Sequence, residues 1–326
     1  MRKTTISSKS ILVVHGRDFK PAEDALRDVS TAALRAGIQR DYPDQLYAFD
    51  KVSVEFAYYG DLSNEVLGAR GNKYDQQIDV GDRANALNCL RDIDARKRFG
   101  IRQYDCVPGK TAVPEFFANV ISPLFGLLGM TNSLVSWLSP DFSEYLKAES
   151  EYAEKVRERV RTQLCALIDR GGRIMLATHG TGCVIAYDVL WQLSHDERFV
   201  DKYGDAKVDC WLTLGAPLGD NCIRKRLLGF KGEPKTYPKN VISWHNIAAE
   251  DDYTCHDNTL ADDFKKMLEQ RVVSTVQDYR VYNLATRYGK SNPHSSVGYY
   301  IHPRVSKIIV DWAQTPAIET DPIYTL

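Results

Sequence analysis

Residues able to do chemistry gather at three places in the chain. The first is the run Ile174-Met175-Leu176-Ala177-Thr178-His179-Gly180-Thr181-Gly182-Cys183-Val184-Ile185-Ala186-Tyr187-Asp188-Val189-Leu190, which reads as a strand, a sharp turn and a helix. Gly180-Thr181-Gly182 followed by Ala186 has the spacing of a dinucleotide-binding turn. Such a turn belongs in the first βα unit with an acid ending the next strand; here it is central, and the next strand ends in Leu214-Gly215. The second place is Glu250-Asp251-Asp252, three adjacent acids of a kind usually found in a solvated loop. The third is His294 in the polar loop after Pro293, where no core position claims it. Histidine is the side chain whose charge changes near neutral pH, so it is the natural proton carrier. His195 lies beyond a helix end and His302 precedes the last helix. His256 has Cys255 and Asp257 beside it but no second spaced pair of metal ligands, and no metal or cofactor is expected.

The elements that must position these residues follow from apolar patterning. Short apolar runs at 11–14, 52–58, 174–177, 208–214, 241–247 and 279–284 predict six strands. Helices are expected from Pro21 onward (Ala22, Ala25, Leu26 and Val29 on one stripe) and over 145–169, 184–193, 260–271 and 304–312. Strands alternating with helices predict an α/β fold, a mostly parallel central sheet covered on both faces. The 326 residues are expected to form a single domain. Its apolar content of 44% supplies a large core and excludes a disordered or fibrous chain. Lys plus Arg number 42 and Asp plus Glu 43, a balance that gives no electrostatic case for a nucleic-acid partner. The seven cysteines are scattered without a C-x-x-C pair, which predicts neither a disulfide framework nor a thiolate zinc site. The polar N-terminus runs directly into four apolar residues, too few for a signal-peptide core, so a cytoplasmic protein is expected.

Two segments interrupt the alternation. Residues 116–140 carry no charge and include Phe125 and Trp137, but Pro123, Gly126 and Gly129 break the apolar run. Such breaks are poorly tolerated in lipid. A lid or cap inserted over about 100–150 is expected instead, covering a site for an acyl chain or making a peripheral membrane contact; a buried helical hairpin is the plainer alternative. Residues 221–240 hold six basic side chains against Glu233 alone. They are expected to be a solvated loop, with an anionic ligand or membrane surface as the sharper option.

The run 174–190 resembles the nucleophile elbow of the α/β-hydrolase superfamily, in which G-x-S-x-G puts a serine on a strained turn. Lipases and esterases often read His-Ser-x-Gly, then a small residue, then Val-Ile-Ala-Tyr-Asp. His179, Gly182 and the residues Val184 to Asp188 fit that pattern, most closely in the cytosolic lipase-like and GPI-inositol-deacylase-like branches. The serine's position is held by Gly180, which has no side chain to attack a carbonyl. Gly180 is either the natural residue of a non-catalytic member or a replacement for serine; Thr181, one position on, is the substitute nucleophile to consider. The resemblance implies further roles. His15-Gly16-Arg17 at the end of the first strand is similar to the His-Gly oxyanion loop of lipases, so the hole is expected at Gly16, Arg17 and Thr181. Trp244-His245-Asn246 followed by the acids resembles the family's acid region. Asp252 takes the aspartate's place best, with Asp251 and Glu250 as near alternatives. The stretch 291–300, with His294-Ser295 followed by two tyrosines, resembles the family's His-Ser-x-x-Tyr loop before the C-terminal helix, which implies His294 as the histidine. Leu214-Gly215-Ala216-Pro217-Leu218-Gly219 is similar to the Gly-Ser-Pro-Leu loop of the lipase branch. His15, His179, Pro217, Leu218, Phe125 and Trp137 are accordingly expected in the substrate pocket.

The resemblance implies a carboxylic-ester hydrolase of esterase or lipase type, inactive or severely impaired as it stands because the nucleophile is missing. Its expected partner is a small-molecule or lipid-like ester. A non-catalytic binding or regulatory protein on the same scaffold is the alternative, and a dinucleotide-binding protein using Gly180 and Gly182 the second.

Overall fold

The computed structural model describes residues 8–93, 99–109, 139–147, 150–230, 236–255 and 259–315. Six strands form one sheet: β1 (Lys9–Val14), β2 (Ser53–Ala57), β3 (Arg173–His179), β4 (Val208–Leu214), β5 (Val241–Ala249) and β6 (Thr275–Val281). Their order is β2-β1-β3-β4-β5-β6 and every pairing is parallel. The chain is therefore an α/β protein with a central parallel sheet, as the alternation of apolar runs and helical stripes predicts.

Successive side chains of a strand point to opposite faces, and both faces are buried here. Ile11 and Val13 of β1, Met175 and Ala177 of β3 and Leu212 of β4 pack under α1 (Glu23–Asp41) and the last helix, through Leu34, Ile38, Val305 and Ile309. Leu12, Val14, Leu176, Trp211 and Trp244 pack on the other face against Val156, Val160 and Leu164 and against the helix after β3. Each such side chain contributes about 1.5–3 kcal/mol on burial, so the central strands are rigid supports.

Between β2 and β3 the chain forms α2 (Gly60–Ala69), α3 (Gln76–Arg91) and α4 (Glu151–Arg170). Neither α2 nor α3 is signalled by an apolar stripe. α3 is started by Asp75, whose carboxylate accepts from the N–H groups of Gln77 and Ile78. α4 begins at residue 151, not 145, because the Ser150 hydroxyl caps the Ala153 N–H; the preceding turn, Pro140–Tyr145, is a separate short helix.

After β3 come α5 (Thr181–His195), α6 (Ser296–Tyr300) and α7 (Pro303–Gln314). The helix expected at 260–271 is broken into Leu260–Asp263 and Lys265–Glu269 at Phe264. The last strand runs over Thr275–Val281 rather than 279–284. As an edge strand it alternates polar and half-buried residues, and the apolar residues that follow leave the sheet. A small antiparallel pair, β7 (Thr286–Arg287) and β8 (Lys290–Ser291), precedes the His294 loop.

Within 221–240, Asn221–Arg224 is a short helix capped by Asp220, and Arg224 pairs with Asp263. Most of the segment expected as a lid, with Phe125 and Trp137, lies outside the described residues, as does His256. Among the described residues no helix is long and apolar enough to cross a membrane.

Candidate active site

The C-terminal edge of a parallel sheet is where open α/β folds gather ligands and chemistry. Four strands deliver their loops there: β1 into His15-Gly16-Arg17, β3 into Gly180, β4 into Gly215, and β5 into Asp251-Asp252. Register aligns their ends, with Val14 opposite Thr178 and His179 opposite Leu214.

Gly180 occupies the turn between β3 and α5 with φ 54° and ψ −125°. Its N–H donates to the Leu214 carbonyl at 2.9 Å, tying the turn to the end of β4. A Cβ at Gly180 would stand 2.9 Å from His294 Nε2 and 3.8 Å from Gly16 Cα. The histidine therefore faces the position at which a nucleophilic side chain would begin. Gly182 serves a different need: a Cβ there would lie 2.4 Å from the His15 carbonyl oxygen, so only glycine lets α5 approach β1. Thr181 is buried at the first position of α5 and its hydroxyl engages the Tyr59 phenol.

His294 Nδ1 lies 2.9 Å from Asp252 Oδ2. That oxygen also accepts from the Tyr299 hydroxyl at 2.7 Å, while Oδ1 accepts from the Thr254 N–H at 3.0 Å. Burial alone would push the Asp252 carboxyl up, but His294 and these donors pull it down to about 2. An ionised carboxylate only accepts, so Nδ1 carries a proton, and in the neutral imidazole Nε2, which faces Gly180, is the accepting nitrogen. The neighbouring acids are occupied elsewhere. Asp251 accepts from the Tyr104 hydroxyl at 2.6 Å, and Glu250 pairs with Arg280 at 3.1 Å.

Three supports of this pair carry little signal in the sequence. Gly215 has φ 58°, and a Cβ there would meet Asp252 Oδ2 at 2.8 Å and His294 Nδ1 at 3.1 Å. Tyr299 links Asp252 to β5 by accepting from the Ala249 N–H at 2.9 Å. Asn283 clamps the histidine loop, donating to the carbonyls of Pro293 and Ser295 at 2.9 Å each. Asn283 falls inside the strand expected at 279–284, and only its end position after the true β6 exposes the role.

His179 backs the imidazole, its Nε2 3.0 Å from the His294 carbonyl oxygen and the two rings 4.6 Å apart. Burial and then the neighbouring His294 hold its basicity well below that of a free histidine. His15 is likewise pushed down to about 3 by burial, with Lys20 adding to it. Its Nε2 accepts from the Tyr59 N–H at 3.1 Å, so Nδ1 donates to the Gly16 carbonyl at 2.8 Å. Both are neutral fixtures of the loop. Among the described residues the N–H groups of Arg17 and Thr181 find no backbone acceptor. Gly16 is packed against His179, with a Cβ there 3.0 Å from Nδ1.

A cavity of about 150 Å³ opens beside His294, with His15, Gly16, Arg17 and His179 in its wall. Pro217 and Leu218 are not in that wall; they are buried in the short turn after β4, where Leu218 packs with the α5 core. The rest of the wall is unexpectedly charged, with Asp18, Lys20, Asp79, Asp82, Arg83 and Arg287.

Compared with protein-family models, with curated proteins and with solved structures, the chain matches none of them. The α/β architecture and the site geometry are therefore what bear on its function.

Proposed function

We propose that this chain is an α/β-hydrolase of the esterase or lipase class, built to act on a carboxylic ester and lacking its nucleophile at Gly180. The observation that carries the reading is the line Asp252–His294–Gly180: a buried carboxylate 2.9 Å from Nδ1, and Nε2 2.9 Å from the Cβ position of the elbow residue. A serine there would give its proton to Nε2 as it attacks the ester carbonyl, and Asp252 would stabilise the resulting imidazolium. The free N–H groups of Arg17 and Thr181 would receive the negative charge on the carbonyl oxygen. His294 would then protonate the leaving alkoxide. Water, activated by the same imidazole, would release the acid and restore the serine.

Gly180 itself favours a second reading, a binding protein on this scaffold, because His294 has closed on the position a side chain would fill. A dinucleotide reading is poorly supported, since the imidazole stands in front of the glycine turn that a pyrophosphate would have to approach.

The test is Gly180→Ser. The new Cβ, 2.9 Å from Nε2, requires the end of the imidazole to withdraw, and the backbone at φ 54° and ψ −125° costs a serine about 1–3 kcal/mol. Turnover of 4-nitrophenyl esters is expected to rise at least about 10³-fold over the unaltered chain, with labelling of Ser at 180 by a fluorophosphonate. A silent, unlabelled and folded Gly180→Ser protein would overturn the hydrolase reading in favour of binding. Turnover by the unaltered chain would place the nucleophile elsewhere.

A further inference from the structure

Four cations stand in the cavity wall beside His294, and the structure disposes of three. Arg83 Nε and Arg287 Nη2 both contact Asp79, at 3.0 and 3.3 Å, so that one buried carboxylate holds two guanidinium groups. Lys20 turns its ammonium onto the carbonyls of Arg17, Asp18 and Phe19. Arg17 is different. Among the described residues it has no carboxylate within ion-pair distance, and its only hydrogen-bond partner is the Tyr253 hydroxyl, at 3.4 Å from Nη2. Its Nε is buried and has no hydrogen-bond partner among the described residues. A buried guanidinium donor left unsatisfied costs about 1–3 kcal/mol or more. The guanidinium, in the cavity wall, therefore has donors left over for a ligand's acceptors.

Resting on the ester-hydrolase reading above, we infer that the cavity receives a compact anionic group of the substrate, a carboxylate or a phosphate, held by the Arg17 guanidinium. Planar guanidinium is suited to either oxyanion, through two parallel N–H···O bonds. The size agrees. A cavity of about 150 Å³ is of the kind that takes a benzene-sized group, which accommodates a succinyl or phosphoryl moiety but not a long acyl chain. Asp18, also in the wall with Asp79 and Asp82, is the carboxylate such an anion must compete with: Arg17 is the charge acting most strongly on it, followed by Lys20, although Arg17 and Asp18 make no contact ion pair. Placement next to Gly16 puts the anionic end within one residue of the loop that faces Gly180.

The experiment compares two esters of equal length on the Gly180→Ser protein: the 4-nitrophenyl monoester of succinic acid and 4-nitrophenyl butyrate. The charged ester is expected to win by at least about tenfold in kcat/KM, and Arg17→Met to bring the ratio near one, with Arg17→Lys between them. Equal rates on both esters overturn the inference and leave the hydrolase reading standing. Calorimetry on the unaltered chain supplies the independent arm, with succinate, inorganic phosphate and neutral succinamide as probes. Either anion is expected to bind at least about tenfold more tightly than succinamide and to lose that advantage in Arg17→Met. The tighter of the two anions identifies the group as carboxylate or phosphate. If the serine protein is silent on both esters but Arg17-dependent anion binding persists, the ester reading falls and the anion site stands. If neither anion outbinds succinamide, the anion site falls.

Discussion

Two aspartates, both almost fully enclosed, each accept from a tyrosine hydroxyl at 2.7 Å and a backbone N–H at 3.0 Å, yet they differ in the charge that faces them. Asp252 lies in the loop after β5, with His294 between it and Gly180 at the start of α5; Asp188 sits about two turns along α5 itself. Asp188 accepts from the Tyr145 hydroxyl at 2.7 Å and from the Leu228 N–H at 3.0 Å, but its nearest cation, Arg157, is 4.0 Å away. Burial dominates there and pushes its carboxyl up to about 6, whereas Asp252, facing an imidazole, lies near 2. Enclosure alone thus does not mark a working carboxylate. What separates the two is a titratable partner in direct contact, which turns a structural acid into one that can steer a proton. Asp188 instead ties α5 to the turn at Pro140–Tyr145 and to the loop near 228.

The largest effect that could break this contrast is catalytic. In the Gly180→Ser background, Asp252→Asn is expected to lower kcat by about 10⁴-fold, because an amide donates to Nδ1 and moves the imidazole proton onto Nε2, the wrong nitrogen. Asp188→Asn is expected to change kcat less than about threefold. Comparable losses in the two variants, measured on one 4-nitrophenyl ester, would make Asp252 no more than another structural acid.

Stability separates them next. Asp252→Ala strands the Tyr299 hydroxyl, the Thr254 N–H and the imidazole in a closed site, and a loss of about 3–5 kcal/mol is expected in urea unfolding. Asp188→Asn keeps an acceptor and removes a buried charge, so a change within about 1 kcal/mol is expected at pH 7.

pH gives opposite signs. A carboxylate held near 2 when folded, against about 3.9 unfolded, contributes stability above pH 4 that is lost as pH falls toward 2, worth about 2.6 kcal/mol at about 1.4 kcal/mol per pH unit. A carboxyl raised to about 6 binds its proton more tightly when folded. Between about pH 4 and 6 the folded state then holds more protons than the unfolded one, and stability falls as pH rises, by about 3 kcal/mol. Asp188→Asn is expected to flatten the second slope and spare the first. An unchanged slope between pH 4 and 6 in that variant would refute the assignment to Asp188.

The difference between these sites also shows how far the chain could be read without coordinates. Gly180, Gly16 and Asp252 could be singled out because each follows closely on a strand, and a short apolar run followed by a glycine or an acid is a local pattern; His294 stood out by its polar loop after Pro293. The parallel sheet was legible for the same reason. Tyr299, Gly215 and Asn283 were not, since their work depends on register and loop packing across 42 residues or more of separation between His294 and Asp252. The charged cavity was hidden more deeply: Arg17, Lys20, Arg83 and Arg287 come from four segments, and α3, which carries Arg83, has no apolar stripe strong enough to announce it. Pro217 and Leu218 are expected in the pocket from the resemblance of their segment to the Gly-Ser-Pro-Leu loop; the chain instead brings Gly215 to the site and buries the residues that follow.

The smallest effects compare the two tyrosines that serve the two acids. Tyr145→Phe removes one donor to Asp188, whose charge is already disfavoured by burial, and leaves no new unpaired group if the carboxyl takes a proton. A loss of about 1 kcal/mol is expected at pH 7, shrinking toward zero at pH 5. Tyr299→Phe removes a donor to Asp252 and an acceptor for the Ala249 N–H together. Asp252 stays ionised at both pH values because His294 still faces it, so that cost, about 1–3 kcal/mol, is expected to be the same at pH 5 and pH 7. The informative quantity is therefore the change in each variant's penalty between the two pH values. A pH-independent penalty for Tyr145→Phe would mean that Asp188 is ionised throughout and that the contrast between the two acids is one of position alone.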